Sequence, residues 1–498
     1  CTCWPMLRGY VSMAPSKSGD TDQSRPTEEL KFRLEKGTGK VDAAAANPKP
    51  SDWPLYRHDR WRSSSSMSPG PEKLNAVWSV QLASKEESAI FGSEPGGPIL
   101  HDWRENPVVK GPLSAPVIAN GSVFVTRPNA HEVLAVHADT GKVRWRFTAN
   151  GRVDTPPAIH RGLCLFGSAA GSVYALRADT GEMVWRLQAA PSNERIVVYG
   201  QVESPWPVPG AVLIIDNVAY FAAGRQPLAD GGILVFAVDP LTGQRHWVHR
   251  INSIPQRGDY ENSGLEFDPF DILHQEGGNI AMSRWLISRD GKKMAVDKWN
   301  AFARVNTGNG SVYVPRGSWT YGARHQHRFP GEASRRPLIV FRDSRVFSSL
   351  NGTTEIFRRD FNLEKDEKFQ SRWITGWSAS GTARKGGKPY RTYRLAEKAA
   401  WTTDGFTPKD PNAKPKPFGT QLFNEFHAMV LSADDRLFVV HKDGRLKSIS
   451  TKDGQTVAET RVPIPAWDGL ALAGKRLFLT TQSGELICLG DPVSDEKL

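Results

Sequence analysis

Two short clusters in this 498-residue chain have residue types and spacing suited to chemistry. Arg57-His58-Asp59 sets an imidazole beside a carboxylate, the pairing of a general base with its orienting acid. Successive residues of a strand point to opposite faces, so on a strand His58 and Asp59 would not face each other. The sequence favours loop closure and turn hydrogen bonding for them. His325 and His327 would share one face of a strand, as two metal ligands must, but Arg324 and Arg328 flank them and oppose a cation. The sequence therefore predicts no metal site. Of the four cysteines, Cys164 and Cys488 lie in apolar strands and read as buried core thiols. Cys1-x-Cys3 is half of a metal or disulfide site whose partners are not visible in the sequence. There is no phosphate-binding Gly-x-x-x-x-Gly-Lys-Ser/Thr loop, no Gly-x-Ser-x-Gly elbow, no His-Glu-x-x-His zinc helix and no Cys-x-x-Cys-His haem site. These absences weigh against the common hydrolase, nucleotide and haem functions, and no catalytic residue can be assigned.

Composition narrows the class further. The chain has 45 Gly, 35 Pro and 16 Trp, which suits a turn-rich all-β protein. It has no apolar run of about 18 residues, so no transmembrane helix is expected. The formal charge is +11, but the basic residues are spread out, with local density near 384–394 and 409–416. That distribution describes a solvated surface, and nucleic acid is not predicted as a partner.

The elements that would position any site come from a repeat. Ala135, Thr140, Gly141 and Trp145 recur as Ala175, Thr180, Gly181 and Trp185, and again as Ala237, Thr242, Gly243 and Trp247. A fixed period near 40 residues, with a turn Gly and a Trp, marks a repeat architecture. Within 157–185 four short apolar runs are separated by three Gly-bearing turns, which predicts one four-stranded antiparallel meander. Such a sheet cannot bury both faces alone. Stacking copies radially buries them and gives a β-propeller. The repeated Gly is read as the positive-φ turn residue and the Trp as an anchor between neighbouring blades.

The pattern Ala-x-Asp-x-x-Thr-Gly-x-x-x-Trp resembles the repeat of the pyrroloquinoline-quinone (PQQ) enzyme-like propellers; Asp239 keeps its acidic position, and His137 and Arg177 replace it in the other copies. Asp52-Trp53-Pro54-Leu55-Tyr56-Arg57-His58-Asp59, Gly151-Arg152-Val153-Asp154-Thr155-Pro156-Pro157 and Glu203-Ser204-Pro205-Trp206-Pro207-Val208 are similar to stretches of the large propeller proteins of planctomycete-type bacteria. The resemblance implies seven or eight four-stranded blades. The chain starts at Cys1, either as a lipoprotein matured there or as a cut within a longer protein. The similarity of 1–10 to an internal Cys-rich stretch of that family favours the second, implying blades upstream. Residues 1–15 then end an upstream element, 16–50 form a flexible linker with a short helix at 28–35, and 51–490 form the propeller. Insertions fall near 189–209 and 381–416, and 491–498 is a tail. The last repeat fragment stops after two or three strands, and the strand carrying Trp78 is expected to complete it from the other end of the chain.

In a propeller, the loops that enter successive blades converge on a central funnel. Asp154, Glu203, Arg225 and Asp230 fall on such loops and are ligand-binding candidates, together with Arg57 and His58; their alternative role is as buried ion pairs and turn locks between blades. Trp206, rigid between two prolines, is either a ligand platform or a plug over a blade edge. The vicinal cysteine pair found in many PQQ dehydrogenases is absent. The resemblance thus points first to a non-catalytic, extracytoplasmic scaffold that binds a protein partner or a small ligand through its loop faces, as the outer-membrane assembly lipoprotein uses this repeat without PQQ. No cofactor is predicted on that reading. The alternative is a divergent oxidoreductase using PQQ and Ca²⁺. A carbohydrate-binding accessory is a third option, suggested by the abundance of Trp.

Overall fold

The computed structural model describes residues 32–41, 45, 47–84, 87, 112–198, 201–225, 230–252, 272–282, 285–296, 302–306, 311–315, 338–349, 355–360, 371–375, 389–393, 399–403 and 426–491. Short strands alternate with tight turns, and the strands gather into six four-stranded antiparallel sheets and one of five strands among the described residues. The first sheet is Val117–Ala119, Ser122–Arg127, Glu132–His137 and Val143–Thr148. The second is Ala158–His160, Leu163–Ser168, Ser172–Arg177 and Met183–Gln188. The third is Leu213–Ile215, Val218–Ala223, Ile233–Val238 and Arg245–Ile251. The fourth is His274–Glu276, Asn279–Met282, Trp285–Ser288 and Met294–Val296. The fifth is Ile339–Arg342, Arg345–Ser349, Ile356–Asp360 and Trp401–Thr403. The sixth is Phe426–Leu431, Arg436–His441, Arg445–Ser450 and Thr456–Arg461.

The seventh sheet closes the ring. Its first three strands are Pro465–Ala473, Arg476–Thr481 and Glu485–Gly490, and its outer strand is Asn75–Gln81, from the other end of the chain. Trp78 pairs with Cys488 in that ladder, as the unfinished last repeat predicted. The seventh sheet is therefore completed from within this chain. First strands of successive sheets approach one another around an axis: the seventh meets the first, the first the second, the second the third, and the fifth and sixth lead back to the seventh. Between the fourth and fifth sheets, Phe302–Asn306 pairs with Ser311–Pro315, and its first strand lies beside His274–Glu276, where an eighth blade would begin.

The joint between sheets uses the repeat. Gly141, Gly181 and Gly243 have φ of 71°, 77° and 73°, a conformation that favours glycine. Each carries a Trp of the preceding sheet against its bare Cα. A Cβ on Gly181 would lie 2.7 Å from the Trp145 ring, and one on Gly243 2.8 Å from that of Trp185. The indole then donates to a nearby carbonyl, Trp145 to Ala178 at 3.0 Å and Trp185 to Pro240 at 2.9 Å. Trp247 on Gly291 and Trp401 on Gly454 repeat the arrangement further round the ring. In the sixth sheet this position is Ala458, opposite Ser448. The reason is topological. The seventh sheet takes its third and fourth strands from opposite ends of the chain, so it has no connecting turn on which a Trp could dock.

One segment departs from the sequence reading. Within the stretch read as linker, Arg33–Lys36 is a fifth strand on the outer edge of the second sheet, where a helix was expected to end. Phe32 packs edge-on against Phe236 at 5.0 Å, and Leu34 joins the core between the second and third sheets. The insertion at 189–209 contains a small ladder, Ile196–Val198 with Gln201–Glu203. In the insertion at 381–416, Pro389–Tyr393 pairs with Ser371–Thr375.

Candidate functional site

The two ends of the central channel are built differently. In a propeller the first strand of each blade turns a free backbone edge toward the axis, and those N–H and C=O groups need partners. At one end they find them in residues 51–68, which make a full circuit of the ring. Ser51 O accepts from Gly474 N of the seventh sheet, and Trp53 exchanges two hydrogen bonds with Ile118 of the first. Pro54 O accepts from Ile159 N of the second sheet, Arg60 O from Gln275 N of the fourth, and Ser63 O from Phe341 N of the fifth. Ser64 and Ser66 bracket Leu431 of the sixth sheet, and Ser66 Oγ returns to Leu472 O of the seventh at 2.8 Å.

Three guanidinium groups fasten this segment. Arg62 is fully buried and donates to Leu273 O at 3.0 Å, Tyr56 O at 3.0 Å and Val212 O at 3.4 Å, tying the third and fourth sheets together. Its burial lowers the guanidinium pKa to about 10. Arg57 pairs with Asp468 at 2.9 Å and donates to Ile339 O, while Tyr56 donates to the same Asp468 oxygen at 2.7 Å. Arg342 reaches Ser65 Oγ, Ser66 O and Ser432 O at 2.8–2.9 Å.

His58 and Asp59 sit on this segment, and the expectation that they would not face each other is corrected. His58 is in the left-handed region at φ 77°, so the strand rule does not apply, and its Nδ1 lies 3.5 Å from Asp59 Oδ2. Asp59 also accepts from Trp61 N at 2.9 Å, Ser63 N at 3.2 Å and the Ser63 hydroxyl, which is the turn-locking role the sequence favoured. Burial would raise its carboxyl pKa, but the bonds from His58 and Ser63 outweigh that and hold it below the ordinary value. The His58 ring stands edge-on to Trp53 at 5.1 Å.

The opposite end carries the other candidates. Residues 152–155 lead into Ala158–His160, residues 203–208 lead into Leu213–Ile215, and 225 and 230 flank the turn between the second and third strands of the third sheet. Strand direction puts all of these at the end away from residues 51–68. Asp154, Glu203 and Arg225 do come together, but through a residue the sequence reading did not single out. Arg152 holds Asp154 with two bonds, at 2.5 and 3.1 Å, and also pairs with Glu203, whose other oxygen pairs with Arg225. Asp154, Arg152, Glu203 and Arg225 thus form a chain of alternating charge. The first three side chains are each only 1% exposed and Arg225 is 17% exposed. Asp230 lies beyond Arg225, exposed and left-handed at φ 52°. Local desolvation, with Glu194 and against Arg225, lifts its carboxyl above the ordinary value.

Trp206 is 9% exposed and belongs to the apolar core between the second and third sheets, so it plugs the blade edge. The flanking backbone is pinned by Ser204 N to Ala169 O at 2.9 Å and Val208 N to Ser168 O at 3.0 Å. Cys164 and Cys488 are free and buried, and burial pushes the Cys488 thiol up to about 12 and Cys164 higher still. No group of three or more His, Cys, Asp or Glu placed to hold a metal occurs among the described residues. His325, His327, Cys1 and Cys3 lie outside them.

Residues 71–266 match the sequence family described as outer membrane protein assembly factor BamB. Among solved structures, the quinohemoprotein alcohol dehydrogenase from Comamonas testosteroni is similar with a TM-score of 0.51 and 14% identity, over 91% of this chain and 83% of that one. A europium-containing methanol dehydrogenase gives 0.47 and 11%, over 89% and 98%. BamB from Moraxella catarrhalis gives 0.35 and 12%, over 78% and 84%. No curated protein matches the sequence. Fold and repeat together define an all-β propeller of four-stranded blades. The repeat is of the PQQ-like β-propeller type, and the fold is the one those propellers share.

Proposed function

We propose that this propeller is a non-catalytic scaffold that binds a protein partner or a ligand on the loop face carrying Asp154, Glu203 and Arg225, outside the cytoplasm. One observation carries the reading: Asp154, Arg152, Glu203 and Arg225 on that face are spent on one another. Asp154 and Glu203 are both engaged by Arg152, and Glu203 by Arg225 as well. A carboxylate clamped by guanidinium groups is a poor Ca²⁺ ligand and a weak base. Trp206 is taken up by the blade core and offers no open face on which a planar cofactor could stack. Next to this rigid base the insertion ladder presents Val197 and Val202 side by side, 52% and 60% exposed, as an apolar contact for a partner. No helix among the described residues is long and apolar enough to cross a membrane.

The test is a titration with PQQ and Ca²⁺, following the quinone absorbance and the thermal midpoint. No saturable complex at high micromolar PQQ is the expected result. A saturable, Ca²⁺-dependent complex with a raised midpoint would overturn the reading in favour of an oxidoreductase.

A further inference from the structure

We propose that residues 51–68 are a gate at one end of the central channel, docking and releasing as a single unit. Their contacts are spread over all seven large sheets, yet they belong to one short stretch of chain. Bonds within the segment tie it into one piece: Arg57 Nε donates to Arg62 O, Ser64 N to Arg57 O, and Trp61 N and Ser63 N to Asp59 Oδ1, but its backbone is strained. Arg57, His58, Arg62 and Ser64 take φ of 57°, 77°, 60° and 55°, in the left-handed region that costs a non-glycine residue roughly 1–2 kcal/mol. Its place across the inner strands is set by its bonds to the ring. The ring supplies the receptors: the free backbone edges of Ile118, Ile159, Gln275, Phe341 and Leu431, the Leu273 and Val212 carbonyls that receive Arg62, and the carboxylate of Asp468. These receptors stand at fixed positions around a circle. A segment that loses its place at one of them loses the path to the next.

The sheets do not depend on the segment in the same way. Each has its own ladders and shares apolar cores with its neighbours, and the ring is clasped separately by Asn75–Gln81. Release therefore uncovers the inner edges of all the sheets while their ladders stay intact.

Hydrogen exchange on the full chain tests this. Five amides report on docking: Ile118, Ile159, Gln275, Phe341 and Leu431, each bonded to a carbonyl of residues 53–64. Arg62→Met removes the guanidinium that spans the third and fourth sheets. The expected result is that all five exchange at least about tenfold faster, by a common factor, while amides within the ladders, such as Val173 and Phe236, are unchanged. Faster exchange at Gln275 alone would mean independent contacts and overturn the proposal. Acceleration of ladder amides by the same factor would make release indistinguishable from unfolding and overturn it too. Ser64→Gly relieves a left-handed residue and gives the opposite arm. It is expected to slow all five amides several-fold, and an effect confined to Leu431 would overturn the proposal. This arm decides the matter should Arg62→Met fail to fold.

Discussion

Trp145 rests on Gly181: the indole ring covers the glycine Cα, and its Nε1 donates to Ala178 O at 3.0 Å. The two residues belong to neighbouring blades, so the Thr-Gly-x-x-x-Trp spacing of the repeat links each blade to the next. Gly181 is constrained twice, by φ 77° and by the ring that a Cβ would meet at 2.7 Å. Gly231 has the same φ of 77° with nothing within 4 Å of an added Cβ. Gly231→Ala should cost only the left-handed penalty, about 1 kcal/mol. Gly181→Ala should add about 1–3 kcal/mol of overpacking. Urea denaturation of the two variants measures the difference, and equal losses would refute the docking account.

The same joint explains why the Trp disappears at Ala458. With no turn in the seventh sheet to receive it, an indole there has no socket. Trp185→Ala should cost roughly 3–5 kcal/mol as a buried ring is lost. Ala458→Trp should give no gain in thermal midpoint. A rise of several degrees would show that the seventh sheet can receive an indole after all.

This joint is also what made the fold legible in the sequence. Ala135, Gly141 and Trp145 keep their spacing because a backbone conformation and a ring must meet across a blade boundary. The channel segment left no such trace. Its receptors are mostly main-chain groups of inner strands, which any side chain can accompany, so Arg62 and Ser63–Ser66 carried no readable pattern. The ion-pair chain was half legible. Asp154, Glu203 and Arg225 stood out as charges on loops of a propeller, but Arg152, which links two of them, was one Arg among many. The strand Arg33–Lys36 was hidden because it pairs on an outer edge and has no repeat of its own.

Arg152 is the member of that chain whose loss should matter most. Arg152→Met leaves two carboxylates in a buried site, Asp154 without its partner and Glu203 with Arg225 alone. Removing one member of a buried ionic cluster costs about 3–5 kcal/mol. Arg152→Met with Asp154→Asn removes one of the stranded charges and should recover part of the loss. Chemical denaturation of the single and double variants gives the coupling. A double variant no more stable than the single one would argue against the pairing.

Acid stability should carry the mark of Asp443. Burial alone would raise this carboxyl, but bonds from His441, from the backbone of Arg445 and from its guanidinium outweigh it and lower the pKa to about 2. A carboxyl depressed in the folded state favours folding above its unfolded pKa, near 3.8. The contribution is lost progressively as pH falls from there through about 2. Asp443 is 40% exposed, so solvent screens the pair and the effect is modest. Asp443→Asn should lower the thermal midpoint at pH 6 and change it little at pH 2, giving a shallower fall in stability between the two. Salt should shrink the difference at pH 6, because the interaction is partly open to solvent. An unchanged acid limb in the Asn variant would place the titrating group elsewhere.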